Sequence, residues 1–280
     1  MTYREAAGRI AGLLREAGIE NETAESMFLM EFACGADRGF YLLHQMDEMP
    51  GEQWEKYRDA AAKRCRRIPL QHLTGEQEFM GLPFLVNEHV LIPRQDTEIL
   101  AEEAIKILKD DCGSGKKVLD LCTGSGCIAV SLKTFCPETE VTACDISPEA
   151  LAVAGRNAEY NHVEVEFLES DLFSGISGHF QMIVSNPPYI PSSVIPELMP
   201  EVRDHEPVRA LDGGADGLYF YRKIIEECGD YLMSGGWLLF EIGYDQGAAV
   251  SEYMREHQFK DIEVIRDLAG LDRVVKGRRE

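Results

Sequence analysis

Basic residues are scarce in this chain. Its 280 residues include 28 Lys and Arg against 49 Asp and Glu, a net charge of −21. Residues 1–75 carry 10 basic and 12 acidic side chains, whereas residues 76–280 carry 18 and 37. So acidic a larger part repels phosphate backbones, which argues against broad nucleic-acid binding there. Long apolar runs are missing too: nothing approaches the ~18 residues that would span a bilayer, and the opening MTYREAAGRI has no secretory core. The eight cysteines, at 34, 65, 112, 122, 127, 136, 144 and 228, form no CxxC pair. The seven histidines stand singly. Neither pattern has metal-ligand spacing, so the expectation is a reduced, cytoplasmic protein without structural zinc or any other metal. Internal repeats and low-complexity tracts are also missing.

What is present suits two domains, at roughly 100–200 residues each. Tyr3, Ala6, Ala7, Ile10, Leu13, Leu14 and Ala17 follow the three-and-four spacing of one helix face. Ala24, Met27, Phe28 and Met30 begin a second helix that Gly35 ends in a left-handed cap. A third runs from about Glu52 to Arg67, with Trp54, Tyr57, Ala61 and Cys65 inward. From Leu73 the pattern changes. EFMGLPFLVNEHVLIPR alternates loosely and is broken by Gly81 and Pro83, which predicts a hairpin with Phe79 and Phe84 in its core. Apolar runs then alternate with helical segments at 117–121, 140–144, 164–168, 181–185, 236–242, 261–265 and 273–275. That alternation predicts a mostly parallel α/β sheet covered on both faces, its last two strands antiparallel. The expected division is 1–75 helical, 76–92 hairpin linker, and 93–280 sheet domain.

Two segments carry chemistry. Asp120-Leu121-Cys122-Thr123-Gly124-Ser125-Gly126-Cys127-Ile128-Ala129 leaves a strand and opens a helix. Its glycines permit positive φ and a close ligand approach. Asp145, at the end of the next strand, is placed to accept from two ribose hydroxyls. A dinucleotide and S-adenosylmethionine compete for such a loop. The acidic Asp120 suits the ammonium of the second, and Asp171-Leu172 could hold an adenine edge, but the glycines alone do not decide.

Ser185-Asn186-Pro187-Pro188-Tyr189 decides it. The segment follows a strand, at the sheet edge where open α/β folds bind ligands. Two prolines fix φ and remove donors, leaving a stiff turn of carbonyl acceptors. The Asn186 side-chain oxygen and the Pro187 carbonyl can accept both hydrogens of a planar NH2 group, and Tyr189 can stack on its π system. Such a nitrogen is a poor nucleophile; two acceptors would hold it in line with a sulfonium methyl and stabilise the charge it develops. An adenine-N6 methyltransferase uses the same logic on a flipped base. The acidic 76–280 segment and the lack of a recognition insertion weigh against that rival.

Together with LTGEQEF (73–79), LIPRQDTE (91–98), SDLF (170–173) and LDGGADGL (211–218), these motifs resemble the protein-(glutamine-N5) methyltransferases of the PrmC/HemK family along essentially the whole chain. The resemblance implies a class I, seven-stranded, Rossmann-like methyltransferase fold behind a small all-helical domain. It also implies S-adenosylmethionine as cofactor and, as acceptor, the glutamine of the Gly-Gly-Gln loop of class I peptide-chain release factors. Cys122 to Gly126, Asp145, Leu172 and Asn186 would contact the cofactor, and Asn186 to Tyr189 would hold the glutamine. A cytoplasmic monomer that takes no nucleic acid is implied as well. Cys122 stands where the family often has glycine, and Gln95 where it often has proline. Arg94, Asp96, Thr97 and Glu98 are expected to brace the domain junction, Lys63 to Arg67 to form a solvated basic helix face, and Glu241 to be a structural carboxylate.

Overall fold

The computed structural model describes residues 1–110 and 115–280. Two units emerge: residues 1–75 with 199–205, and residues 76–198 with 206–280. The expected division at 75 has no counterpart for the short excursion 199–205, which clusters with the helical unit. Cys112 lies outside the described residues, and the other seven cysteines are free thiols.

The helical unit holds α1 (Tyr3–Glu16), α2 (Glu22–Cys34), α3 (Arg38–His44), α4 (Gly51–Cys65) and α5 (Leu70–Thr74). Thr2 and Glu5 form a capping box at the start of α1, satisfying two orphan amide donors reciprocally. Tyr3, Ala6, Ala7, Ile10 and Leu14 are buried as the spacing requires, while Leu13 is exposed at the stripe's edge. On α2 the inward face is Ser26, Leu29 and Met30; Ala24 and Phe28 point out. Ser26 is buried because its hydroxyl meets the Ala7 carbonyl at 3.0 Å and the Tyr57 hydroxyl at 2.5 Å. The basic run is only partly a solvated face. Arg64 is buried between Glu25 at 2.5 Å and Glu201 at 2.9 Å, and Arg67 reaches Glu201 at 2.6 Å. Glu201 sits on α9 (Pro200–His205), so these pairs explain why the excursion groups with the helices.

The second unit opens with the hairpin β1 (Glu76–Phe79) and β2 (Leu82–Leu85), whose Phe79 and Phe84 are fully buried and meet edge to face at 6.0 Å. There follow α6 (Gln95–Asp110), β3 (Lys117–Leu121), α7 (Cys127–Phe135), β4 (Glu140–Asp145), α8 (Pro148–Tyr160), β5 (Glu166–Glu169) and β6 (Phe180–Ser185). After α9 come α10 (Tyr219–Glu227), β7 (Leu232–Glu241), α11 (Gly247–Glu256), β8 (Phe259–Arg266) and β9 (Asp272–Arg279). The seven strands run in the order β5-β4-β3-β6-β7-β9-β8; β9 is antiparallel to both its neighbours and the other pairings are parallel. This is the expected α/β architecture, including the antiparallel last pair.

Side-chain alternation divides each central strand between two cores. Val118, Met182 and Val184 pack with α6, α7 and α8, whereas Leu119, Leu121 and Ile183 pack with α10 and α11. The chain order reverses between β3 and β6, so their carboxyl ends open a crevice. Leu121 is level with both Cys144 and Ser185, and the Ser185 hydroxyl donates to the Leu121 carbonyl at 2.8 Å. Among the described residues, no helix is long and apolar enough to cross a membrane.

Asn157, buried on α8, ties the hairpin to the loop after β3. Its Nδ2 donates to the Leu85 carbonyl at 3.0 Å and the Ser125 carbonyl at 2.8 Å, and its Oδ1 accepts from the Leu85 amide at 2.7 Å. Asn157→Ala strands those backbone groups, at a cost of roughly 1–3 kcal/mol for each one left dry. Urea unfolding should show a clear fall in midpoint with unchanged slope; an unaltered midpoint would refute the latch.

Candidate functional site

The crevice at the switch point deepens into a cavity of 580 Å³, within the ordinary range for a small-molecule site. Its floor is the loop after β3, and Cys122, Thr123, Gly124 and Ser125 all line it. Thr123 N–H donates to the Cys144 carbonyl at 2.9 Å, and Gly124 N–H to Asp145 Oδ2 at 2.9 Å. Asp145 Oδ1 accepts from Ser147 N–H at 3.0 Å. A carboxylate offers about four acceptor sites, so Asp145 keeps lone pairs for a ligand. Burial raises its pKa, opposed by the amides of Ser147, Gly124 and Ile146 and by the charge of Arg209. A Cβ on Gly124 would meet no protein atom within 4 Å; on a residue that lines the cavity, that open space is where a ligand would lie. Cys122 and Leu172 both line the cavity with positive φ, 61° and 50°. Held there without being glycine, each costs on the order of 1 kcal/mol, strain of the kind found at ligand sites. Burial pushes the Cys122 thiol well above its ordinary range, so it is no nucleophile.

Asp171, Leu172, Asn186 and Pro188 complete the expected residues on the wall. Asp120, Gly126, Pro187 and Tyr189 do not line this cavity. Asp120 is fully buried, with Oδ2 accepting from the Thr123 hydroxyl at 2.6 Å and Oδ1 making no hydrogen bond of good geometry, although the Ala129 amide lies near the carboxylate. Burial raises its pKa to about 7, against the Thr123 bond. Gly126 has φ +79° at the start of α7, and a Cβ there would fall 2.9 Å from that of Ala154 on α8. Tyr189 is half-buried against the α10–α11 core, and its hydroxyl donates to Glu241 Oε1 at 3.2 Å.

The Asn186–Tyr189 turn is gripped from behind by backbone. Ile190 N–H donates to the Leu211 carbonyl at 2.9 Å, and Gly213 N–H returns to the Ile190 carbonyl at 2.9 Å. A Cβ on Gly213 would come within 2.6 Å of Tyr189 Cα. Gly217, at φ +74°, leaves 2.3 Å between such an atom and the Tyr189 oxygen. Gln246 Nε2 donates to that same carbonyl at 2.9 Å.

The segment after the hairpin contributes more than its composition suggested. Arg94 reaches both oxygens of the buried Glu206 at 2.8 Å, fixing the stretch whose Pro207, Arg209 and Ala210 form another wall. Asp96 pairs with Arg273 at 3.2 Å, and Glu98 Oε1 accepts from Met80 N–H at 2.7 Å. Thr97 Oγ1 accepts from Asn186 Nδ2 at 3.3 Å. Every one of these partners lies within residues 76–198 or 206–280, so this bracing acts inside the sheet-bearing unit. Glu241 is buried; its pKa rises to about 7 through desolvation, opposed by the Thr97 and Tyr189 hydroxyls and by Arg273. Its Oε2 makes no hydrogen bond of good geometry, although Thr97 lies near the carboxylate. Sequence reasoning gave Thr97 a bracing role at a junction overhanging the pocket, and gave Glu206, Arg209 and Gln246 none. For Gln246 the available signal was its position in the Gly243–Gln246 turn, just beyond the strand that follows the Asn-Pro-Pro-Tyr strand in the sheet. Among the described residues no cluster of His, Cys, Asp or Glu could hold a metal ion.

Comparison with known proteins gives this geometry a context. Residues 5–75 match the PrmC N-terminal domain, and residues 96–197 match the methyltransferase small domain. The release factor glutamine methyltransferase of Geobacter sulfurreducens is 43% identical over 279 residues, covering 99% of this chain and 96% of that protein. That of Koribacter versatilis is 38% identical over 281 residues, covering 100% and 99%. Among solved structures, a methyltransferase from Pyrococcus furiosus superposes with a TM-score of 0.55 at 19% identity, covering 78% of this chain and 98% of its own, a likeness of fold.

Gly217→Ala should show how tightly the turn is gripped. It combines a left-handed backbone with the collision at Tyr189, for a loss of roughly 2–4 kcal/mol by urea titration. Gly178→Ala is the control, because Gly178 has φ +90° and open space where its Cβ would go. Equal losses in the two variants would mean that Gly217 matters only for its backbone angle.

Proposed function

The chain belongs to the release factor glutamine methyltransferases, and on that premise we propose which of its residues perform the transfer and on which glutamine. It is an S-adenosylmethionine-dependent protein-glutamine methyltransferase. The acceptor we assign is the side-chain N5 of the glutamine in the Gly-Gly-Gln loop of class I release factors.

The observation that carries the assignment is the Asn186 amide. Its nitrogen donates to Thr97 Oγ1, which leaves Oδ1 to accept, on a residue of the cavity wall. Oδ1 and the Pro187 carbonyl would take the two hydrogens of the glutamine NH2. That grip opposes delocalisation of the nitrogen lone pair into the carbonyl as positive charge develops. It also removes the orientational freedom of a weak nucleophile, a large share of the barrier. Pro188 and Tyr189 would complete the acceptor site. No strong base is required, because nitrogen sheds its proton readily once alkylated.

S-adenosylmethionine supplies an electrophilic methyl on a sulfonium. The donor set fits it: Asp145 has free acceptor sites for ribose hydroxyls, and the wall at Asp171 and Leu172 suits adenine. The loop from Cys122 to Gly126 would meet the amino-acid end. Asp120, whose Oδ1 makes no hydrogen bond of good geometry, would bias that end toward an ammonium. With no basic groove implied by its charge, the acidic 76–280 segment supports a protein loop over nucleic acid as substrate. A monomer acting in the cytoplasm, where release factors work, completes the reading.

The test offers labelled S-adenosylmethionine with a purified class I release factor and with duplex DNA, in separate reactions, followed by peptide mass mapping. Label on the Gly-Gly-Gln glutamine, with none on DNA, is expected. Label on adenine, or on another residue of the release factor, would overturn the assignment.

A further inference from the structure

Glu241 lies at the end of β7, and the pairing of Ser185 with Phe240 sets it level with Asn186. It is 2% exposed, and the transfer as described gives it no task. Several groups face it. Asp96 and Thr97 come from α6, Tyr189 from the Asn-Pro-Pro-Tyr turn, and Arg273 from β9; the Tyr221 hydroxyl of α10 donates to its backbone carbonyl at 2.9 Å, and Cys127 stands nearby on α7. Arg273 is itself held by Asp267 at 3.0 Å and Asp96 at 3.2 Å.

We propose that Glu241 and Thr97 are positioning residues for methyl transfer. Thr97 lies near the buried carboxylate, whose Oε2 has no hydrogen bond in the structure; that open acceptor biases the Thr97 hydroxyl hydrogen toward Glu241, so that the Thr97 oxygen accepts from Asn186 Nδ2 at 3.3 Å and holds the amide with Oδ1 toward the acceptor. This inference rests on the assignment of Asn186 as the group that grips the glutamine.

A terminal amide can turn over and exchange its oxygen for its nitrogen at little torsional cost. Turned over, Asn186 would present NH2 to the glutamine NH2, two donors facing each other, and the grip would be lost. Thr97 prevents this only while its oxygen is an acceptor. An ionised Glu241 accepts and cannot donate, so the Thr97 hydrogen is drawn away from Asn186. A protonated Glu241 can donate to Thr97, which frees the Thr97 hydrogen for Asn186 Oδ1 and rewards the wrong orientation. The same carboxylate takes the Tyr189 hydroxyl at 3.2 Å, so it secures both ends of the turn. Burial raises its pKa to about 7, so the two states interchange near neutral pH, the neutral one dominating below it. The rate constant should therefore climb as pH rises through that region.

The experiment measures kcat, the release-factor KM and the cofactor Kd between pH 5.5 and 8.5 for wild type, Thr97→Val, Thr97→Ser and Glu241→Gln. Asp120 is common to all four enzymes, so a rise near pH 7 that is lost in Glu241→Gln belongs to Glu241. Thr97→Val, which keeps shape and loses the hydroxyl, should lower kcat roughly 10- to 100-fold, with cofactor Kd and KM little changed. Thr97→Ser should restore most of the rate. Glu241→Gln should lower kcat and abolish its rise near pH 7. A Thr97→Val enzyme with wild-type kcat, a Thr97→Ser enzyme as slow as Thr97→Val, or a pH rise that survives in Glu241→Gln would each overturn the proposal. If Glu241→Gln does not fold, Thr97→Val decides instead: it should also lose the rise near pH 7, and a rise that survives there would overturn the proposal. A wild-type enzyme that leaves release-factor glutamine unmodified would refute the parent assignment instead.

Discussion

The site depends on strand register. Leu121, Ser185 and Phe240 lie side by side on β3, β6 and β7. The loop that begins at Cys122, the turn that begins at Asn186 and the carboxylate of Glu241 therefore leave the sheet at one height. A slip of one residue on β6 would turn Asn186 to the opposite face and bury the wrong side chains with it. The two cores prevent that slip, since Met182 and Val184 belong to one and Ile183 to the other. Hydrophobic packing, which carries no chemistry, thus sets the spacing between the loop after β3 and the turn after β6.

Onto that frame the molecule adds two kinds of restraint. Backbone contacts fix shape: Pro187 and Pro188 stiffen the turn, and Gly213 and Gly217 let a neighbouring strap approach closer than any side chain would permit. Hydrogen bonds fix polarity, as with the clamp of Gln246 on the Tyr189 carbonyl and the ties from Gly124 and Ser147 amides to Asp145. Shape restraints tolerate changes of pH and salt. Polarity restraints that end on Asp120 and Glu241 do not, because burial brings both carboxyls to about 7.

The elements were largely legible in the sequence because they rest on local signals. Short apolar runs located the seven strands, three-and-four spacing located three helices of residues 1–75, and glycine and proline marked the loop after β3 and the turn after β6. Polar residues buried through distant partners were not legible. Arg64 was expected on a solvated face, and nothing local marked Ser26, Asn157 or Glu206; each is inside because a partner far along the chain satisfies it. Thr97 and Asn186 are 89 residues apart, and only the three-dimensional register brings them together. The excursion 199–205 was likewise hidden, since its place is set by Glu201 meeting Arg64 and Arg67. Cys122 could be read only as a tolerated departure until its left-handed backbone showed why glycine is favoured there.

The most direct measurement of the central claim, that Asn186 grips the acceptor, pairs calorimetry with single-turnover kinetics on Asn186→Ala. The account predicts that S-adenosylmethionine still binds, because Asp145 and the loop after β3 are untouched, while methyl transfer to the release factor falls by roughly 100-fold or more. Turnover at the wild-type rate would contradict it.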